Sequence, residues 1–233
     1  MPTLPKFVSD MIIPFIKKGT VTNIQYHSKH FKTVSFKSDS LKNIRFKAGW
    51  EIEFSVSDTD MRHYTISAYD KKNGIVDVLF YLHQKGPGSF WASNLNINDK
   101  VHFMGPGKKI SLDEQASSLV FTGDETTIGL YLMMQQRSRP NQQVSGAIEI
   151  QKEWNNVIDE FGLKLTTLSR TDNRGEALVN WLDENISSND KSVFYLTGHA
   201  KTIQTTRAVL KSKNISSSKI ITRPYWADGK TGL

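Results

Sequence analysis

The chain contains no cysteine. Disulfides, thiolate metal sites and cysteine-held iron–sulfur clusters are therefore excluded. Long apolar runs are also missing, since none approaches the ~20 residues that a membrane-spanning helix needs. The sequence shows no basic start followed by an apolar stretch and a small-residue cleavage site. The expectation is a soluble cytoplasmic protein with no signal peptide and no membrane insertion. The six histidines show no ligand spacing, so no metal site is expected. Internal repeats and low-complexity tracts do not occur, and the Gly-x-Gly-x-x-Gly fingerprint of many nucleotide sites is missing.

Charge of one sign is in modest excess, with 30 Lys/Arg against 23 Asp/Glu and a net charge of +7. A basic surface suits nucleic acid, anionic membrane or anionic small molecules, or simply keeps a protein soluble. The cations are scattered in short pairs such as Lys17-Lys18, Lys71-Lys72 and Lys108-Lys109. No basic helix and no nucleic-acid motif is present, so nucleic acid is not an expected partner and a monomer is expected. At 233 residues, 38% of them apolar, the chain holds one large or two small domains.

Leu4, Phe7, Val8, Met11, Ile12, Phe15 and Ile16 follow helical spacing, limited by Pro14. From Gly19 the rhythm is that of short strands: Val21 to Tyr26, Lys32 to Phe36, Trp50 to Val56, Arg62 to Tyr69, Ile75 to Leu82 and Val101 to Met104. Asn73-Gly74 marks a hairpin, and Gly105-Pro106-Gly107 is expected to stop the last of these strands. One helix is expected near Pro87 to Asn94. Six short strands and one helix predict a small closed antiparallel barrel over residues 14–110.

Over residues 111–233 strands and helices alternate. The expected strands are Ser118 to Thr122, Gly146 to Ile150, Leu163 to Ser169, Val193 to Thr197 and Ile220 to Arg223. This pattern predicts a parallel sheet covered by helices, whose ligands sit at the C-terminal ends of the strands. The residues there are Gly123-Asp124, Ser169-Arg170, Gly198-His199 and Tyr225-Trp226.

Met61 to Trp91 is the most informative stretch. Arg62 and Tyr64 share one strand face by period two, and Gly88 and Ser89 offer N–H groups at a helix start, where an anion is stabilised. A cation, an aromatic ring and an anion-binding turn suit a large planar ligand with a diphosphate. Phe90 and Trp91 are expected to anchor the helix in the barrel.

The run Arg62-His63-Tyr64-Thr65 resembles the flavin-binding Arg-x-Tyr-Thr/Ser motif of the ferredoxin–NADP reductase superfamily. His83-Gln84-Lys85-Gly86-Pro87-Gly88-Ser89-Phe90-Trp91 resembles its siderophore-interacting branch, the FAD-dependent ferric-siderophore reductases. Gly123-Asp124-Glu125-Thr126 and Tyr225-Trp226 follow in the expected order, so the resemblance covers about residues 19–228. It implies two domains: a six-stranded antiparallel FAD-binding β-barrel of the ferredoxin-reductase type, then an α/β parallel-sheet domain of the NAD(P)-binding kind.

The resemblance also implies roles. Arg62 neutralises the FAD diphosphate with Gly86, Gly88 and Ser89, Tyr64 lies against the flavin, and the Thr65 hydroxyl, near the reactive flavin nitrogen, is the catalytic candidate. His83 either touches the flavin or supports its own loop. Trp226 either covers the flavin or clamps the domain seam. Asp124 and Thr126 either meet the sugar and nicotinamide of NAD(P)H or cap a helix. Ser169, Arg170 and Arg174 either read the 2′-phosphate of NADPH or belong to a solvated loop. His199 departs from the acid that many relatives carry. Lys47, Lys108 and Lys230 are candidates for a basic ring around an anionic ferric siderophore, or are ordinary surface lysines.

The implied reaction is electron transfer from NADPH or NADH through FAD to a ferric siderophore, with ferredoxin as an alternative donor. A flavin reductase of the same fold, and a basic module without redox activity that binds siderophores or nucleic acid, remain as other readings.

Overall fold

Alternating apolar residues build the first half of the chain. In the strand Ile75–Tyr81, Val76, Val78 and Phe80 are buried while their neighbours are partly exposed, as a sheet with one core-facing side requires. The computed structural model describes residues 15–230, so the helical spacing that begins at Leu4 lies almost wholly outside the described residues. The chain divides between Ser111 and Leu112 into two units.

The first unit contains β1 (Lys17–Tyr26), β2 (Phe31–Lys37), β3 (Trp50–Ser55), β4 (Met61–Thr65), β5 (Ala68–Asp70), β6 (Ile75–Tyr81), α1 (Pro87–Asn94) and β7 (Lys100–Lys108). Its antiparallel strands form one seven-stranded ladder, in the order β4-β3-β7-β1-β2-β6-β5. The expected closed barrel of six strands is thus an open ladder of seven. The difference arises inside the expected strand Arg62 to Tyr69, which changes partner midway. The Ile66 N–H donates to the Trp50 carbonyl at 3.3 Å, whereas the Ser67 N–H donates to the Asp77 carbonyl at 2.8 Å. One segment therefore supplies both ends of the ladder.

A second correction concerns β7, which runs through Gly105-Pro106-Gly107 instead of stopping there. Glu53 pairs with Met104 but Glu51 with Gly107, so the register shifts across Pro106. A bulge is where a strand tolerates a residue lacking an N–H.

Aromatic rings fill this core. Phe36 and Phe54 lie 4.5 Å apart, and Phe54 and Phe103 6.1 Å apart. Trp91 from α1 stacks on Phe36 at 6.3 Å and 5°. Phe90, by contrast, is 54% exposed, so only one of the two expected anchors serves. Successive helix residues point about 100° apart, and Trp91 takes the inward direction.

The second unit contains β8 (Ser118–Gly123), α2 (Ile128–Arg137), β9 (Gln143–Ile150), α3 (Asn155–Glu160), β10 (Thr166–Ser169), α4 (Glu176–Asn185), β11 (Val193–His199), α5 (Ala200–Ser212) and β12 (Ile220–Trp226). All strands are parallel, in the order β10-β9-β8-β11-β12. Every residue of β11 is buried, as a strand inside a sheet covered on both faces should be. Val120, Leu182, Phe194, Leu196, Ile203 and Leu210 share one core cluster. The order places the ends of β8, β9 and β11 side by side at one rim of the sheet.

Candidate functional site

In the first unit, Arg62, Tyr64 and Gly88 come together. A Cβ at Gly88 would collide with the Tyr64 hydroxyl and stand 3.2 Å from Arg62 Cγ. Only glycine allows the start of α1 to lie this close to the two β4 side chains. The N-cap of α1 is Gly86, at φ 81, and no side chain caps this end. The first N–H groups of the helix thus have no intrahelical acceptor. Pro87 follows as the first helical residue, where its missing N–H costs nothing.

Arg62 is mostly buried. Its guanidinium donates to Asp60 Oδ1 at 3.1 Å and to the Met61 carbonyl at 2.7 Å. Tyr64 stands edge-on to Phe80 at 4.7 Å and packs on Phe54 and Trp91. Burial pushes its hydroxyl well above the ordinary phenol range, against the pull of Arg62, so it stays a neutral donor. Thr65, the next residue of β4, is buried and pairs with Glu51 of β3.

Ser89 is buried, and its hydroxyl accepts the Gln84 N–H at 2.9 Å. That bond ties the loop to the helix start. His83 is exposed, and its Nδ1 accepts the Lys85 N–H at 3.1 Å, which is the loop-supporting reading of this residue. The protein around its ring still removes part of its water, and this, followed by the charge of Lys85, lowers its pKa from the ordinary value. Lys47 and Lys108 are both exposed at one end of β3, where the Trp50 N–H donates to the Lys47 carbonyl and Trp50 pairs with Lys108.

In the second unit, Asp124 is the hub of the sheet rim. Its Oδ1 accepts the Thr126 N–H at 2.9 Å and the Thr126 hydroxyl at 2.5 Å, so the pair caps the single turn Glu125–Thr127. Oδ2 accepts the His199 N–H at 3.0 Å and the Trp226 indole N–H at 2.9 Å. One buried carboxylate thus fastens the ends of β8, β11 and β12. A Cβ at Gly198 would lie 2.5 Å from Oδ2, which explains the glycine there.

The three residues expected to read a phosphate do not act as a set. Arg170 is largely buried and donates to Glu125 Oε1 and Oε2 at 2.6 and 2.7 Å and to the Glu149 carbonyl at 3.2 Å. Its Nε lies 3.7 Å from Glu149 Oε2, and the Glu149 carboxylate accepts the Gly175 N–H at 2.9 Å. Arg170 thus turns toward two buried carboxylates and offsets their charge. Burial and the neighbouring Asp124 raise the pKa of Glu125 despite Arg170. Ser169 and Arg174 are exposed.

The Trp226 ring lies 4.3 Å from His199, and the Arg174 guanidinium lies 4.6 Å from its centroid. The indole thus packs between His199 and Arg174 while its N–H is donated to Asp124. His199 Nδ1 is 3.1 Å from the Thr202 hydroxyl, and Nε2 is 3.2 Å from Asp228 Oδ2. Burial lowers its pKa, against the pull of Asp228. Lys230 is exposed and belongs to this unit, whereas Lys47 and Lys108 belong to the first.

Sequence reading missed Glu125 and Glu149 as the partners of Arg170, and Asp60 as the partner of Arg62. The spacing of Asp60 from Arg62 was a usable signal, since alternate strand residues share a face. No local pattern links Glu125 or Glu149 to Arg170.

Comparison with known proteins bears on both units. Residues 46–110 match the family model described as the siderophore-interacting FAD-binding domain. No curated protein matches the chain. A siderophore-interacting protein of Aeromonas hydrophila is 21% identical, with a TM-score of 0.77 and 92% of each chain covered. A siderophore utilization protein of T. fusca is 18% identical, with a TM-score of 0.78 over 94% of this chain and 95% of that one. A ferredoxin–NADP+ reductase of Plasmodium falciparum is 14% identical, with a TM-score of 0.72 over 90% of this chain and 96% of that one. The described residues contain no helix long and apolar enough to cross a membrane. The chain therefore has the two-domain fold of the ferredoxin–NADP reductase superfamily, and its residues 46–110 match the siderophore-interacting FAD-binding domain.

Proposed function

We propose that the protein is a flavin-dependent ferric-siderophore reductase, which passes electrons from NAD(P)H through FAD to a ferric siderophore and releases Fe(II). The observation that carries this reading is the close approach of Gly88 to Tyr64 and Arg62. It brings a cation, a neutral phenol and an uncapped helix start together, inside the stretch that matches a flavin-binding family. These residues fit FAD. The guanidinium of Arg62 and the first N–H groups of α1 would hold the diphosphate. Tyr64 would lie against the ring system, and Thr65 would offer its hydroxyl to the ring's reactive edge. FAD bound there would supply the exchange of an electron pair for single electrons.

Ferric siderophores of the catecholate and hydroxycarboxylate kinds are anionic. Lys47 and Lys108 would attract them. Thr65 pairs with Glu51, and Lys108 pairs with the adjacent Trp50 on the far side of β3. Two strand spacings put the Lys108 backbone ~10 Å from that of Thr65, within reach of a long side chain. Fe(II) is held less strongly than Fe(III) by hard oxygen donors, so reduction would release the metal.

For the donor, the nucleotide reading rests on the Asp124–Thr126 turn, Ser169 and Arg174. A second reading, in which reduced ferredoxin is the donor, is favoured by the commitment of Arg170 to Glu125 and Glu149. The test is to mix purified protein with FAD and record flavin absorption. Its reduction by NADPH, NADH and reduced ferredoxin is then compared by stopped flow, with a ferric catecholate as acceptor and an Fe(II) trap. A yellow protein that reduces the chelate is expected. A colourless protein that cannot take up FAD overturns the proposal and leaves a binding module without redox activity.

A further inference from the structure

Lys32 is a lysine with no exposed surface at all. It lies on β2, between Tyr26 of β1 and Phe80 of β6. Lysine is almost never fully buried without a partner, because stripping water from its charge is costly. Its ammonium donates to the Ser93 carbonyl at 3.3 Å and the Leu95 carbonyl at 3.2 Å, and it lies 5.2 Å from the centroid of the Tyr26 ring. Ser93 and Leu95 stand at the C-terminal end of α1. The charge therefore sits where the helix leaves its last carbonyls unsatisfied and its dipole is negative.

The helix needs this support. Its sequence, Pro-Gly-Ser-Phe-Trp-Ala-Ser-Asn, is poor in strong helix formers. It has no side-chain N-cap, no acid in its first turn and no base in its last. At eight residues it is too short to be stable alone. Trp91 anchors it at mid-length, and Lys32 supplies from the sheet the missing cation at its end. The other end of the same helix is the one packed on Arg62 and Tyr64 through Gly88.

We infer that Lys32 is a positioning residue for the diphosphate end of the cofactor site: it holds α1 in place from behind, so that the N–H groups at the front meet the anion. This inference rests on the proposed function and adds to it a residue outside every recognised motif. The hydrogen bonds of the Lys32 ammonium go to Ser93 and Leu95 at the rear of the helix, so its effect runs through the helix. It should therefore act on the phosphate-bearing part of the ligand and leave the ring system alone.

The experiment compares FAD with riboflavin, which has the ring system but no diphosphate. Equilibrium affinities for both are measured in the parent, in Lys32→Met and in Lys32→Arg. Lys32→Met should lose roughly three- to tenfold in FAD affinity, the scale of a partly buried helix-end charge, while riboflavin affinity stays at the parent value. Lys32→Arg keeps the donors and the charge, and should recover most of the loss. Hydrogen exchange of the ligand-free variants should show faster exchange in α1 and unchanged exchange in β11. If Lys32→Met does not fold, Lys32→Gln takes its place, with a smaller loss confined to FAD. A parent that binds no FAD overturns the proposed function itself. A parent that binds FAD, with variants that keep the FAD-to-riboflavin ratio, overturns only the role of Lys32.

Discussion

The Tyr64 hydroxyl occupies the place where a side chain at position 88 would begin. This pairing of a tyrosine with a glycine gives the first prediction. Gly88→Ala should push the tyrosine off its position or lift the start of α1, costing about 1–3 kcal/mol of stability in the first unit and weakening FAD. Removing the hydroxyl with Tyr64→Phe should restore much of that stability in the double variant. Denaturant unfolding of the two single variants and the double variant measures the coupling, and strictly additive losses would show that the two groups do not meet.

Arg62 gives the second prediction. Its side chain passes the helix start at Gly88, and its guanidinium is held by Asp60 and the Met61 carbonyl. Arg62→Ala should weaken FAD by ~1.5–3 kcal/mol, the range of a hydrogen bond to a charged group. Equal FAD affinity in parent and variant would remove Arg62 from the site.

Arg170 and Arg174 should separate cleanly, although they lie close in sequence. Arg170→Ala leaves Glu125 and Glu149 buried without their cation, so it should destabilise the second unit by about 3–5 kcal/mol. The ratio of KM values for NADPH and NADH should not change. Arg174 is exposed and lies on the Trp226 ring, so Arg174→Ala should cost about 0.5–1 kcal/mol. If the nucleotide reading is right, that variant raises KM for NADPH more than for NADH. Melting curves and donor kinetics of the two variants decide it. A stable Arg170→Ala protein with a selective NADPH defect would reverse the assignment.

The pH dependence of stability follows from His199. Its folded pKa is depressed below the ordinary 6.5 because burial disfavours the charged ring. Below that value the unfolded chain takes up a proton more readily than the folded one. Stability should therefore be flat above about pH 6.5, fall as the pH drops below it, and level off once the folded-state value is passed. His199→Gln should remove this component. Thermal unfolding from roughly pH 5 to 7.5 is the measurement, and a parent and variant with parallel profiles would show that His199 is not its source.

Lys47 and Lys108 give the last prediction. The double Lys→Ala variant should keep its FAD but lose efficiency with an anionic ferric chelate. In the parent, that efficiency should fall as salt rises, because exposed charges are screened over ~8–10 Å. A neutral acceptor should respond much less. Lys230→Ala, made separately, tests the lysine of the second unit. Equal rates for parent and variants across the salt series would reject a basic approach to the flavin edge.

The sequence was most readable where the chemistry is local. Arg62, Tyr64 and Gly88 fall within one short stretch, and strand period and turn chemistry are enough to bring them together. The strand–helix alternation of the second half was equally plain in its longer elements, although the expected strand from Leu163 to Ser169 starts only at Thr166. Arg170 was not readable, because its partners Glu125 and Glu149 come from other strand ends and meet it only when β8, β9 and β10 align. Lys32 looked like any strand lysine, since nothing in its neighbours announces a helix end above it. Ile66 and Ser67 hid the extra strand, because a change of partner leaves the apolar pattern unbroken.

That change of partner has a consequence for how this unit fails. An open ladder has two edges with unpaired backbone groups, and either can recruit strands from other chains. Here the edges are β4 and β5, the two halves of the segment 61–70. Most proteins guard two edges at two places. In this chain the bonds of Ile66 and Ser67 tie both edges to the sheet, so loosening the one segment that carries Arg62 and Tyr64 would release both edge strands together.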